Sequence, residues 1–317
     1  MRPIERLKSQ AIRRLGIARV AATADHARDR ARELEDEITH LRTTISALET
    51  KLAEVDRRTA TLRDAEAVLT GTVHGATAPL HAEPLISVVL PTRDRVDILQ
   101  TAIDSVRAQI YPHWELIVVD DGSRDRTAAF LSRQTDAEPR ILVVTTRGIG
   151  AAAARNAGIA CATGEYAAFL DDDNTMHPTW LRAVAEFTGR HPGVTALYGA
   201  QLREDFRDEN DEPTVLFRRS VDLESLRLDN CIDLGVLAVR RDHPELRFDE
   251  TLSRYIDWEL VVRLKMSGDL RSLPAIAGAY STRAARRISE PDDPAGLETM
   301  RLRFRSIAPS GCDDEPQ

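Results

Sequence analysis

Asp171, Asp172 and Asp173, followed by Asn174, are the residues of this chain whose types and spacing speak most directly of chemistry. Neighbouring carboxylates about 4 Å apart repel by roughly 1 kcal/mol in water and by about 4 kcal/mol at an effective dielectric of 20. Set in a cleft, such a cluster calls for a cation, and hard oxygen ligands suit Mg or Mn. Magnesium takes few protein carboxylates and shares the rest of its shell with substrate phosphates. The same residues would also serve, without metal, as a solvated acidic turn capping a helix that starts near Pro178.

Two further polar clusters end apolar runs upstream. One is Pro91-Thr92-Arg93-Asp94-Arg95; the other is Asp120-Asp121-Gly122-Ser123, followed by Asp125 and Thr127. Asp121-Gly122 alone is an ordinary turn with a Ser or Asp helix cap. Several acidic strand ends arriving on one rim change that reading, because open α/β sheets bind ligands outside the carboxyl ends of their strands. A competing signal is Gly148-Ile149-Gly150 with Ala153, which mimics GxGxxA and precedes Asp171. That is most of a nicotinamide-dinucleotide fingerprint. It falls on the third strand rather than the first, however, and leaves Asp120, Asp121 and the acidic triplet without a task. Small residues that let a helix sit close to a sheet account for it equally well.

The elements that must position these groups alternate from Pro84 onward. Strands are expected at 86–90, 115–119, 141–145, 166–170 and 194–198, with helices at 97–108, 127–135, 151–162 and 179–190. Such alternation predicts an α/β fold with a mostly parallel sheet covered by helices on both faces. A polar stretch follows. Next come a strand at 232–239, a helix at 258–267 and a short strand at 270–273. Beyond Ser289 the chain is rich in Pro and acidic residues, and partial disorder is expected.

The first 70 residues obey a different rule. Between 24 and 69 there is no Pro or Gly, and apolar residues recur alternately every three and four positions. Ile38, Ile45 and Leu52 fall at a, with Leu34, Leu41, Leu48, Val55, Leu62 and Leu69 at d; Thr59 and Glu66 interrupt the a series. Ile at a with Leu at d favours a parallel two-stranded coil, hence a homodimer. Across such a dimer Glu37 would meet Arg42 and Lys51 would meet Asp56, whereas Arg58 and Arg63 repel. A solitary helix folded back on the globular domain is the alternative. Within residues 1–20, Arg2, Arg6, Lys8, Arg13, Arg14 and Arg19 accompany Glu5, and Ile4, Leu7, Ala11, Leu15 and Ala18 share one helical face. A basic amphipathic helix of this kind can lie on an anionic membrane; a solvated lead-in to the coil is the other reading.

The 317 residues are enough for about two domains. With a net charge of −8 the chain is no bulk-charge binder of nucleic acid. No apolar run reaches the roughly 18 residues of a membrane span, and no secretory signal is evident. Cys161, Cys231 and Cys312 are far apart and odd in number, which argues against a disulfide framework or zinc ribbon and suits the cytoplasm, with peripheral contact at the inner membrane surface as an extension.

Taken together, SVVLPTRDR, ELIVVDDGSRDRT and RGIGAAAARNAGIACATGEYAAFLDDDN resemble, in order and spacing, family 2 glycosyltransferases of the GT-A fold, over about residues 85–280. The resemblance implies a nucleoside-diphosphate-sugar site, with UDP favoured, and a divalent cation, Mn or Mg, on the diphosphate. It places Pro91, Arg93 and Asp121 around the base and Asp172 by the ribose and sugar. Thr92, Asp120, Arg155 and Asp171 join the same donor site, and Asp173 is the metal ligand. In Ile256-Asp257-Trp258-Glu259-Leu260, followed by Arg263, it implies that Asp257 is the catalytic base. Three departures stand out: Arg93 and Asp94 replace the usual aromatic and Asn, Ile256 replaces an acid, and the segment 280–287 lacks a His. There Arg283, Arg286 and Arg287 would meet diphosphate or solvate a surface loop.

The expected organisation is a basic lead-in (1–23), a coiled coil (24–70), a linker (71–84), a GT-A-like domain (85–290) and a tail (291–317). The expected activity is metal-dependent, inverting sugar transfer to a hydroxyl of a glycan or other acceptor, in glycan, polysaccharide or glycoconjugate synthesis. A nucleotidyltransferase would need a Gly-rich, Arg/Lys-bearing loop after Leu90, which is absent. A coiled-coil scaffold with a degenerate transferase domain is the alternative of another class, and the intact triplet and Asp257 speak against it.

Overall fold

The computed structural model describes residues 3–204, 214–268, 270–281 and 294–306. The chain divides into two units, residues 1–62 and 63–317. Helix α1 (Pro3–Thr77) supplies all the described residues of the first and enters the second. Its uninterrupted course follows from the missing Pro and Gly over 24–69, aided by Glu54, which pairs with both Arg57 and Arg58. Along its length Leu34, Ile38, Leu41, Ile45, Leu48, Leu52, Val55 and Leu62 stand between 44% and 71% exposed. This is an apolar seam facing solvent.

Within the second unit, α1 continues through residues 71–77, where a linker is expected; the non-helical connection begins only after Thr77. The reason is packing. Val68 and Thr72 are buried, Thr72 Oγ1 accepts from the Ile276 amide at 2.9 Å, and Arg182 donates to the carbonyls of Gly75 and Ala78. Gly71 and Gly75 permit the close approach, since a Cβ at Gly75 would lie 2.6 Å from Ala183 Cβ and one at Gly71 would collide with the Pro274 carbonyl. Leu69 and Val73 remain exposed on another face, so the seam runs past the docking contact.

The sheet is then built in order. It begins with β1 (Ile86–Thr92), α2 (Val96–Arg107), β2 (Trp114–Asp120), α3 (Thr127–Ala137), β3 (Ile141–Thr145), α4 (Ala151–Cys161) and β4 (Tyr166–Phe169). There follow β5 (Asn174–Met176), α5 (Trp180–Arg190), β6 (Ala196–Glu204), β7 (Thr214–Leu216), α6 (Leu223–Leu228), β8 (Leu237–Arg240), α7 (Ile256–Met266), β9 (Leu270–Ser281) and α8 (Pro294–Ser306). The strand order is β3-β2-β1-β4-β8-β6-β9-β5, with β7 on β6. The first four strands pair in parallel, and β8 then joins β4 antiparallel. Val88, Val89, Leu90 and Leu116 to Val119 are fully buried, as strands covered on both faces must be.

Register brings the strand ends level: Thr92 is opposite Asp120, and Asp120 is opposite Thr145. The chain moves from β1 outward to β3 and then returns to β4 on the other side of β1, which opens a crevice between the carboxyl ends of β1 and β4. Helix α4 closes tightly on the sheet because Gly158 lies against Val89 and Val119; a Cβ there would stand 2.5 Å from Val89 Cγ1.

One expected strand differs, one alternative does not form, and the tail holds a helix. The acidic triplet leads into β5, paired with β9, rather than into a turn capping α5. The strand expected at 232–239 starts as a single 3₁₀ turn (Leu234–Val236), because the Asp233 carboxylate accepts from the Gly235 amide at 2.8 Å and holds the turn closed. Past Ser289, 294–306 forms α8, secured by buried Met300 and Phe304, with Phe304 5.0 Å from the Trp258 ring. Polar composition hid two anchors at helical spacing. Arg283, Arg286 and Arg287 lie outside the described residues, as does Cys312.

Candidate active site

The crevice between β1 and β4 is closed by side chains from both. Thr92, the last residue of β1, donates its hydroxyl to Asp172 Oδ2 at 2.8 Å. Arg95 Nη1 donates to Asp172 Oδ1 at 2.9 Å and to Asp173 Oδ2 at 3.0 Å. Asp172 is buried, and this pushes its carboxyl up to about 6. Arg95 and Thr92 pull against that shift, while Asp173 and Asp171 add to it. Asp173 is half-buried.

A second constellation forms after β2 and β3. Burial would raise Asp121, but the Thr146 hydroxyl (2.6 Å), the Ile149 amide (2.7 Å), the Gly150 amide (2.9 Å) and the nearby Arg93 charge together hold its carboxyl below the usual range. The amides that a GxGxxA loop would offer to a pyrophosphate are thus taken by Asp121 at the start of α4, a favourable place for a carboxylate. The nicotinamide reading loses its phosphate cradle. Gly148, at φ +75°, lies against the exposed Arg93 guanidinium, and a Cβ would come 3.3 Å from its Nη1. Asp120 Oδ1 accepts from the Ser123 amide at 2.9 Å. The β1 and β2 loops are laced by Asp94, itself at φ +54°, whose amide donates to Ser123 Oγ and whose Oδ1 accepts from Arg124. Pro91 is half-buried at the same rim, one residue before Thr92.

The third group surrounds Asp171. Arg155, on α4, is buried and donates from Nη2 to Asp171 Oδ1 at 2.6 Å. Its Nε and Nη1 are buried with no hydrogen-bond partner among the described residues. Asp233 is pushed up to about 6, first by burial and then by the negative charges of Asp171 and Asp257, against the Gly235 and Gln201 hydrogen bonds. Asp171, Asp233 and Asp257 therefore share one electrostatic neighbourhood. Asp257 lies in the first turn of α7, and its Oδ2 accepts from Asn230 Nδ2 at 2.9 Å. The N-cap of α7 is Tyr255, at φ +57°, so Asp257 is not the cap. Glu259 is buried and bound by Arg263.

The site residues expected from sequence thus gather into three neighbouring sets. Sequence reading gave no role to Arg95, Asn230 or Asn174. Adjacency to a strand end was the one available signal for Arg95; nothing local marks Asn230.

The donor set is compatible with a hard divalent cation. Asp171 and Asp173 offer carboxylate oxygens, and the next residue, Asn174, has an Oδ1 that is buried and unpartnered among the described residues. No group of three His, Cys, Asp or Glu forms a cage among those residues. A separate cavity of about 570 Å³, lined by Arg63, His74, Glu186, His191 and Arg219 among others, contains none of these residues. No helix among the described residues is long and apolar enough to cross a membrane.

Residues 87–237 match the profile of glycosyl transferase family 2. Over 106 residues, 33% of this chain, the sequence is 40% identical to the putative teichuronic acid biosynthesis glycosyltransferase TuaG of Bacillus subtilis. The match spans 42% of that relative's length. Among solved structures, S. aureus TarS 1–349 in complex with UDP-GlcNAc superposes with a TM-score of 0.54 at 18% identity, covering 69% of this chain and 71% of that one. The mannosyltransferase PcManGT of Pyrobaculum calidifontis, in complex with GDP-Man and Mn2+, gives 0.51 at 19% identity, covering 73% and 68%. At these identities the likeness is one of fold.

Proposed function

Residues 87–237 carry a glycosyl transferase family 2 domain in a GT-A architecture, and on that premise we propose that the chain moves a sugar from a nucleoside-diphosphate sugar to an acceptor hydroxyl with inversion at the anomeric carbon. The observation that carries this reading is the meeting of Thr92, Arg95, Asp172 and Asp173 at the β1–β4 crevice, with Asp257 within electrostatic reach of Asp171 through Asp233.

Pro91, Thr92, Arg93, Asp120 and Asp121 form the rim that receives the nucleoside, with Asp121 held ionised as an acceptor for base or ribose N–H and O–H donors. Arg155, Asp171 and Asp172 border the sugar and diphosphate, with Arg155 holding Asp171 in place. Asp173 would hold Mn or Mg, which when bound supplies charge stabilisation to the departing diphosphate. Asp257 accepts the proton of the attacking hydroxyl, oriented by Asn230. Glu259 is unsuited to that task because Arg263 occupies it.

A role in polysaccharide or glycoconjugate synthesis is supported by the kind of process named for the Bacillus relative. The exposed seam of α1 supports a parallel homodimer. The exposed basic residues Lys8, Arg13 and Arg14 beside exposed Leu15 support peripheral contact with an anionic membrane. A panel of UDP-, GDP- and dTDP-sugars with Mn, followed by NMR of the product's anomeric configuration, tests the activity. Retention would overturn the inverting step, and no turnover with any donor would overturn the whole proposal and favour the scaffold reading.

A further inference from the structure

A single nitrogen, Arg95 Nη1, bridges the tips of two neighbouring carboxylates, Asp172 at 2.9 Å and Asp173 at 3.0 Å. Thr92 takes the other oxygen of Asp172. The Arg95 side chain is only 14% exposed, so its charge is spent inside the crevice rather than in solvent. Among the described residues this guanidinium pairs with the last two acids of the triplet, while Arg155 serves Asp171.

We propose that Arg95 is a resident counter-ion that a divalent cation must displace from Asp173, and that the freed guanidinium is received by the donor's diphosphate, so that cation and nucleotide enter the crevice together. The inference rests on the metal-dependent reading of this site and adds to it a residue that sets how the cation binds.

Charge balance is the reason. The triplet with Arg95 and Arg155 carries one net negative charge. A divalent cation alone would turn that into one net positive charge and set a second cationic group beside the shielded guanidinium, which is costly. The two negative charges of a nucleotide-sugar diphosphate restore the original balance. A guanidinium fork is well shaped for phosphate oxygens, and charge-assisted bonds of this kind are among the stronger ones. Arg95 also stands on the loop that follows β1, the same rim as Pro91 to Arg93, so its new partner would lie beside its old one. A mere strut between two strand ends would behave differently, since its removal would loosen the crevice and leave cation affinity equal or weaker.

The test is an electron paramagnetic resonance titration of free Mn2+ against the full chain, with and without UDP or GDP. Wild type should bind Mn2+ weakly alone and at least about tenfold more tightly with nucleotide. Arg95→Met should bind Mn2+ alone at least about tenfold more tightly than wild type, since a charge at this range is worth one to three pKa units, and nucleotide should add less. If folded Arg95→Met binds Mn2+ no better than wild type while wild type binds it with nucleotide, Arg95 is a strut and the proposal falls alone. If neither protein binds Mn2+ with any nucleotide, the metal-dependent reading falls and takes this one with it. Arg95→Gln, which keeps a donor for Asp172 Oδ1, is read by the same criteria should Arg95→Met melt early by circular dichroism.

Discussion

Arg263 grips Glu259 through two parallel hydrogen bonds, Nε to Oε1 at 2.8 Å and Nη2 to Oε2 at 2.9 Å. The same guanidinium reaches Glu245 Oε2 at 2.9 Å and the Glu245 and Arg247 carbonyls, which ties α7 to the segment before it. Two residues earlier on α7, Asp257 has a single neutral side-chain donor among the described residues, Asn230. Adjacent acids on one helix thus have opposite circumstances: one is bound up in structure and the other is open to a proton.

Asp257→Asn should therefore abolish transfer and spare the fold. A positioned base contributes about 10²–10⁴-fold, so kcat should fall by at least 100-fold while the melting temperature and donor affinity stay level. Glu259→Gln should do the reverse. Replacing one partner of the Arg263 pair leaves a buried donor poorly satisfied, at about 1–3 kcal/mol, with kcat changed little per folded molecule. Denaturant melts paired with initial rates separate the two; near wild-type transfer by Asp257→Asn would move the base to Asp233.

Asp173→Ala should lose turnover and metal-dependent nucleotide binding without unfolding, because its side chain is half-buried and Arg95, which it pairs with, keeps Asp172. Excess EDTA on wild type should have the same effect on rate. Isothermal titration with a nucleoside diphosphate, with and without Mn, reads the binding arm, and full activity in EDTA would contradict it.

Truncation should separate the two parts of α1. Removing residues 1–62 deletes most of the exposed seam and should yield a folded domain that no longer dimerises. Removing residues 1–78 also strips Val68, Thr72 and the two glycines from β9 and α5, and should leave a destabilised domain. Gly75→Val, which forces atoms into Ala183, should cost about 1–3 kcal/mol, as overpacking does. Light scattering reports the mass and thermal melts report the docking; a monomeric full-length chain at micromolar concentration would remove the coil.

Acid should release α8. Asp249 is held down to about 2 by the Thr251 hydroxyl, Arg303 on α8 and the Thr251 amide. The unfolded value is about 3.9, so below about pH 4 the unfolded chain binds more protons here than the folded one. The contribution is complete above that pH and fades as the pH falls through 2. Hydrogen exchange over 294–306, corrected for intrinsic rate, should accelerate between pH 4 and 2.5. An Asp249→Asn chain should show fast exchange already at pH 4, and an unchanged profile in that variant would reject the role.

Periodicity, taken alone, determined the alternation of strands and helices from residue 86 to 190, the long helix with its heptad seam, and the acidic ends of the second and fourth strands. These are local facts, since a side chain two or 3.6 residues from the last declares its face without knowledge of its partner. The order β3-β2-β1-β4 was not local, and it is what made Thr92 a neighbour of Asp172, eighty residues on. Residues 71–77 looked like a linker because glycine disfavours helices, yet those glycines are what allow α1 to lie against Pro274 and Ala183. Likewise the GxGxxA run carried a dinucleotide signature until Asp121, from another strand, was found to occupy its amides. Arg95 had no legible role for the same reason: a guanidinium declares a charge in the sequence, but its carboxylate partners are chosen by strand order and register, which only the assembled sheet decides.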